Sequence, residues 1–244
     1  MVSLPVTDAT AEGSQRRAKD RVDGELSRWR GALIVAGWAA LASVALTFVQ
    51  VWIYVQWPSP ETVKGFYSLF ADNPLLGLAS LDLLYIVNNL LVLLVYLGLF
   101  LVLRRRFPST VTIGLLLGTV GMAAYMASNT AFEMLSLANA YAAADAAGQV
   151  ALLGAGEAML AVFEGTAFDI YYIVSGITLF LFAGAVFDSE RFSRATGVWG
   201  LIAAAFMMIP STAGTIGMVF ALGSLVPWVV FAALAGRHLL RLVR

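Results

Sequence analysis

Asp82 and Asp169 head two similar stretches, LDLLYIVNN at residues 81–89 and FDIYYIVSG at residues 168–176, which share the pattern D-x-x-Y-I-V within long apolar runs. A carboxylate so placed can hold a proton, supply oxygen to a hard cation, or act as counter-ion to an ammonium group. Glu133 and Glu164 are two further acids in comparable surroundings. Neutral polar groups accompany them. On a helix, Tyr85 and Asn89 share the face of Asp82, and Asn129 shares the face of Glu133. Tyr172, with Tyr85 and Tyr171, offers ring faces to a cation, although an interfacial aromatic belt also places tyrosine at a membrane boundary. The candidate ligand- or cation-binding set is Asp82, Tyr85, Asn89, Asn129, Glu133, Glu164, Asp169 and Tyr172.

Composition sets the medium in which these groups must work. The 244 residues are 60% hydrophobic and 12% charged, with mean hydropathy +0.84, the balance of an all-α, polytopic integral membrane protein rather than of a soluble domain. Ionisable groups there are costly unless paired, hydrated or neutralised, and Lys64 is the one basic residue near these acids in the topology derived below. They can meet outer water, carry protons, be held by Asn, Tyr and helix N-terminal amides, or bind a cation. Thr166-x-x-Asp169 reads as a capping box at a helix restart after Gly165, which gives Asp169 a structural role. Asn73-Pro74 reads as a helix start, placing Asp82 about eight residues inside its helix with no such role.

Several chemistries are excluded. The chain has no cysteine, which removes disulfides, thiolate metal sites and cysteine nucleophiles. His238 is the sole histidine and falls in the basic end GRHLLRLVR, so a His-rich zinc site, a Ser-His-Asp triad and an H-E-x-x-H motif are all ruled out. No phosphate-binding or dinucleotide fingerprint occurs, so no cofactor is expected, and arginines at helix ends answer to topology rather than to nucleic acid. Three functions stay open. One is binding or transport of a cation, proton or small amine in an acidic, outward-facing pocket. Another is a structural or partner-binding role, with a possible homo-oligomer. The third is membrane-embedded hydrolysis with Asp82 and Asp169 as paired carboxylates.

The elements that must position these residues follow from hydropathy. Six spans are expected at Gly31–Trp57, Pro74–Leu103, Ser109–Glu133, Glu164–Phe187, Ala195–Ile209 and Thr215–Gly236. With both termini cytoplasmic, Arg104 to Arg106, Arg191, Arg194 and the basic residues of both ends fall inside, leaving Lys64 alone outside. That pattern fits a plasma membrane protein of the bacterial inner-membrane kind, with the lipid bilayer as its partner, and it puts the four acids at the outer boundary. Residues 1–30 read as a polar cytoplasmic tail and residues 31–244 as one transmembrane domain. Val63, Phe66, Tyr67 and Phe70 form one apolar face, predicting a short amphipathic helix on the outer membrane surface. Helix from Thr112 to Ala144 would extend about 50 Å, beyond a ~30 Å core, so a helical hairpin is expected to project outward. Gly114 and Gly118 form a small-residue face suited to close packing within the bundle or to a dimer contact. The similar acidic stretches suggest two-helix repeats over 74–133 and 164–214.

Overall fold

The computed structural model describes Gly24 and residues 27–243. The expected tail over residues 1–30 thus lies outside the described residues except at Gly24 and residues 27–30. The chain is all-α: α1 (Arg30–Gln56), α2 (Val63–Asp72), α3 (Pro74–Ser80), α4 (Leu83–Leu103), α5 (Pro108–Ser128), α6 (Ala131–Ala143), α7 (Ala146–Phe163), α8 (Thr166–Phe187), α9 (Arg194–Met207) and α10 (Gly214–Arg241). Local chemistry fixes several starts. The side chains of Thr62, Asn73, Asp145 and Ser193 accept from backbone amides at the starts of α2, α3, α7 and α9.

Six helices close a ring in which chain neighbours are also spatial neighbours, in the order α1, α4, α5, α8, α9, α10 and back to α1. Its interior is apolar at one end, where Leu33, Val95, Leu99, Leu179, Phe182 and Phe231 are fully buried. Tyr96 and Phe182 stack face to face at its middle, with centroids 4.9 Å apart. Outward-facing side chains are apolar as well: Trp38, Phe48, Trp52, Leu116, Val219 and Val226 are all exposed. A belt of that extent on the outside of a bundle is a lipid-facing surface. Five stretches are long and apolar enough to cross a bilayer: Arg30–Gln56, Leu83–Leu103, Pro108–Ala143, Ala146–Phe187 and Gly214–Arg241. The protein is a polytopic membrane protein. α9, at 14 residues, is shorter than these five.

One end of the ring carries the arginines that begin α1, follow α4, lie between α8 and α9, and end α10. The opposite end carries a cap made of α2, α3, α6 and α7. Val63, Phe66, Tyr67 and Phe70 do form the apolar face of an amphipathic helix, but α2 lays that face on Ala131, Met134 and Ala138 of α6, not on lipid. The reason is the pair α6 and α7, which lies against α2 and takes up its apolar face. The Tyr67 hydroxyl donates to the Leu152 carbonyl of α7 at 2.8 Å.

The helices at the cap end are not continuous. Pro74–Leu103 breaks at Leu81-Asp82, the run from Thr112 toward Ala144 breaks at Asn129-Thr130, and the fourth apolar run breaks at Glu164-Gly165. Hydropathy cannot report the first two breaks, because apolar residues flank them; the third is the restart expected after Gly165. Gly114 and Gly118 face α8: a Cβ on Gly114 would meet Phe182 at 3.1 Å, and one on Gly118 would meet Thr178 at 2.9 Å and Tyr96 at 3.3 Å. Of the two expectations for this face, packing within the bundle is the one observed.

Candidate functional site

The break between α3 and α4 builds the site. Asp82 has φ 61°, making it the non-glycine residue of positive φ among the described residues. It is not eight residues inside a helix, as the sequence implied, but is the residue from which α4 starts. Left-handed backbone is disfavoured for L-residues, with aspartate and asparagine among the few that tolerate it. Breaking a helix at membrane depth also frees carbonyls, which need partners. Here they come from side chains: Ser59 donates to the Ser80 carbonyl at 3.3 Å, and Asn129 donates through Nδ2 to the Leu81 carbonyl at 2.7 Å. The Asn129 Oδ1 accepts from the Ala131 amide at 3.2 Å, so one side chain spans two breaks. Its place is structural rather than beside Glu133.

The partly buried carboxylate of Asp82 is held from α1. Tyr54 donates its hydroxyl to Oδ1, Gln50 donates to the same oxygen at 3.2 Å, and Gln50 also donates to the Tyr54 oxygen at 2.9 Å. The Tyr125 hydroxyl faces Asp82 as well, outside the geometry of a formed hydrogen bond. Among the described residues no ion pair reaches Asp82, and every group that contacts it is neutral. Gln50 and Tyr54 were missed from sequence. The signal was present: Ser43, Thr47, Gln50 and Tyr54 recur at i, i+4, i+7 and i+11, a polar stripe on an otherwise apolar span. Ser43 uses that stripe to reach α4, donating to Asn88 at 2.7 Å.

Below Asp82, toward the centre of the ring, lies an aromatic and polar layer. Tyr125 contacts Tyr85, Tyr171 and Phe168 with ring centroids 5.5, 4.8 and 6.0 Å away. Tyr172 lies 5.2 Å from Phe168 and 5.5 Å from Tyr171. Tyr171 donates to Asn89 Oδ1 at 3.1 Å. Asn89 Nδ2, the Tyr125 hydroxyl, Ser175 Oγ and Thr178 Oγ1 are buried with no hydrogen-bond partner in the protein. Natively buried polar atoms are nearly always satisfied, by protein, water or ligand.

The structure brings Asp82, Tyr85, Asn89 and Tyr172 into this layer and ties Asn129 to the adjoining break. The other acids lie elsewhere. Glu133, in the first turn of α6, is exposed beside a surface groove with Ser136, Leu137, Ala155, Ala158 and Met159. Glu164 is exposed at the end of α7. Asp169 accepts from Thr212 in the turn before α10. It makes no capping box with Thr166, since Gly165 is the N-cap residue and provides no side-chain bond. Asp82 and Asp169 share no hydrogen-bond partner, and among the described residues no three His, Cys, Asp or Glu side chains converge as a metal site would require. Outside the spans, burial raises the Tyr67 phenol above its ordinary value, with Tyr141 adding to the rise.

No curated protein and no solved structure matches the chain. The family described as a domain of unknown function, DUF4386, matches residues 31–241. Those limits fall in the first turn of α1 and on the last residue of α10, so the match takes in the ring, the cap and every residue around Asp82. The chain belongs to the DUF4386 family.

Proposed function

We propose that the protein binds a cationic species at Asp82, entering from the cap side, and that this species is a proton, a metal cation or a small amine. The observation that carries the reading is the setting of Asp82 itself: one carboxylate in left-handed backbone, held by neutral donors beside tyrosine rings, with no ion pair among the described residues. Oxygen-rich surroundings suit a hard cation, and ring faces suit an ammonium group. The proposal includes six spans, both chain ends on the cytoplasmic side, and a bacterial inner-membrane setting. In its support, Arg30 Nε donates to the Val243 carbonyl at 3.2 Å, so α1 begins and α10 ends at the same end of the ring, an arrangement that favours an even number of crossings. The Thr212–Asp169 bond joins the α9–α10 turn to the start of α8, so α9 returns the chain to the cap side. The two-helix repeat is part of the proposal too: Asn129 and Thr212, each following a returning helix, both bond back to the start of the outgoing one.

The test is thermal unfolding of the purified chain with sodium, calcium, propylammonium or tetramethylammonium ions, and across pH. Asparagine at position 82 tolerates the left-handed backbone and keeps an acceptor oxygen for Tyr54 and Gln50, so Asp82→Asn removes charge alone. One species should raise the melting temperature saturably, by about 2.7 kcal/mol of stability at a hundredfold excess over Kd, and Asp82→Asn should abolish the rise. An equal rise in that variant, or no response of the natural chain to any ion or to pH, would overturn the proposal.

A further inference from the structure

At the arginine end, α1 and α10 cross closely. A Cβ on Gly236 would meet Ala40 at 2.7 Å and the Gly37 carbonyl at 2.9 Å, and one on Gly37 would meet Leu240 at 2.6 Å. Beside the crossing, on the outside of the ring, is a groove of about 310 Å³ lined by Trp38, Leu41, Arg237, Leu240 and Arg241. Arg237 and Arg241 are one helical turn apart, so both guanidinium groups project from one face of α10. Both are exposed, and neither has an ion pair among the described residues. Neither α1 nor α10 contains an acidic residue. Trp38 is 62% exposed, so its indole is available to the surroundings on the lipid-facing side.

We infer that this groove binds an anionic phospholipid. Guanidinium groups match phosphate oxygens with paired N–H donors, and a basic pocket between membrane helices is the setting in which anionic headgroups are held. The indole N–H of Trp38 supplies a further donor at headgroup depth, while Leu41 and Leu240 give an acyl chain an apolar bed. A soluble phosphate would use the arginines but not that bed.

The experiment is native mass spectrometry and thermal unfolding of the purified full chain with phosphatidylglycerol, phosphatidylcholine, or glycerol phosphate. Phosphatidylglycerol should give a retained adduct and a raised melting temperature, and the other two should not. Arg237→Gln with Arg241→Gln should reduce the adduct about tenfold. Trp38→Ala, which leaves the charges in place, should reduce it less. The control is Arg191→Gln with Arg194→Gln, which removes equal charge from the same end at residues that do not line the groove. Equal loss in the control would show general attraction to basic charge and overturn the assignment. Stabilisation by glycerol phosphate would assign the groove to a soluble anion instead.

Discussion

Asp82 combines two properties that rarely coincide: a left-handed backbone and a carboxylate with no ion pair among the described residues. They separate experimentally. Asp82→Gly and Asp82→Ala both delete the carboxylate, but only glycine relieves the left-handed conformation. The glycine variant should be the more stable by about 1–2 kcal/mol, read as a difference between denaturation midpoints of the two purified variants. Equal stability would mean that position 82 relaxes out of the left-handed region once the side chain is gone. Asp82 stood out in the sequence because it was a lone acid in an apolar run; Tyr85 and Asn89 followed from helical spacing, and Tyr172 from the ring face it offers a cation. Its actual partners did not. Gln50 and Tyr54 lie on another helix, and sequence spacing relates residues only within an element. Depth counting set Asp82, Glu133, Glu164 and Asp169 at one level, but level is not azimuth, and Glu133 and Glu164 turn to the exposed surface.

At the scale of elements, the five long apolar stretches were legible because such runs have few alternatives in a membrane. The first span was expected at Gly31–Trp57 and is found at Arg30–Gln56. The breaks at Leu81-Asp82 and Asn129-Thr130 were not legible, since neither contains a glycine or proline; the first is satisfied by Ser59 and Asn129, and at the second Asn129 accepts from the Ala131 amide. Glycines on α5 show how closely two elements approach. Gly118→Leu would press new atoms into Thr178 and Tyr96, and overpacking of this kind costs about 1–3 kcal/mol. The variant should therefore lose thermal stability with no change in molecular mass by light scattering. A change of mass at unchanged stability would instead identify the face as a contact between copies.

For the whole molecule, orientation is the property that links the cap, the site and the arginine end. Because the chain lacks cysteine, single cysteines report side without background. The proposed topology puts exposed Ser136 of α6 outside and exposed Ser109 of α5 inside. Ser136→Cys should react with an impermeant maleimide on intact cells, and Ser109→Cys only after permeabilisation; the reverse pattern would invert the protein in the membrane. Charge distribution is what yields the proposed orientation, whereas ring closure leaves no trace in hydropathy, because neighbour order in space is not written there. Closure of the ring by the first and last helices has a consequence for assembly in the membrane. α1 and α4 are among the first elements synthesised, and they bring Gln50 and Tyr54 to Asp82 early. The α1–α10 seam cannot form until α10 has emerged, so until then the bundle is an open arc. The α1–α10 groove, with its two arginines, comes into being only after α10 has been made and has joined α1.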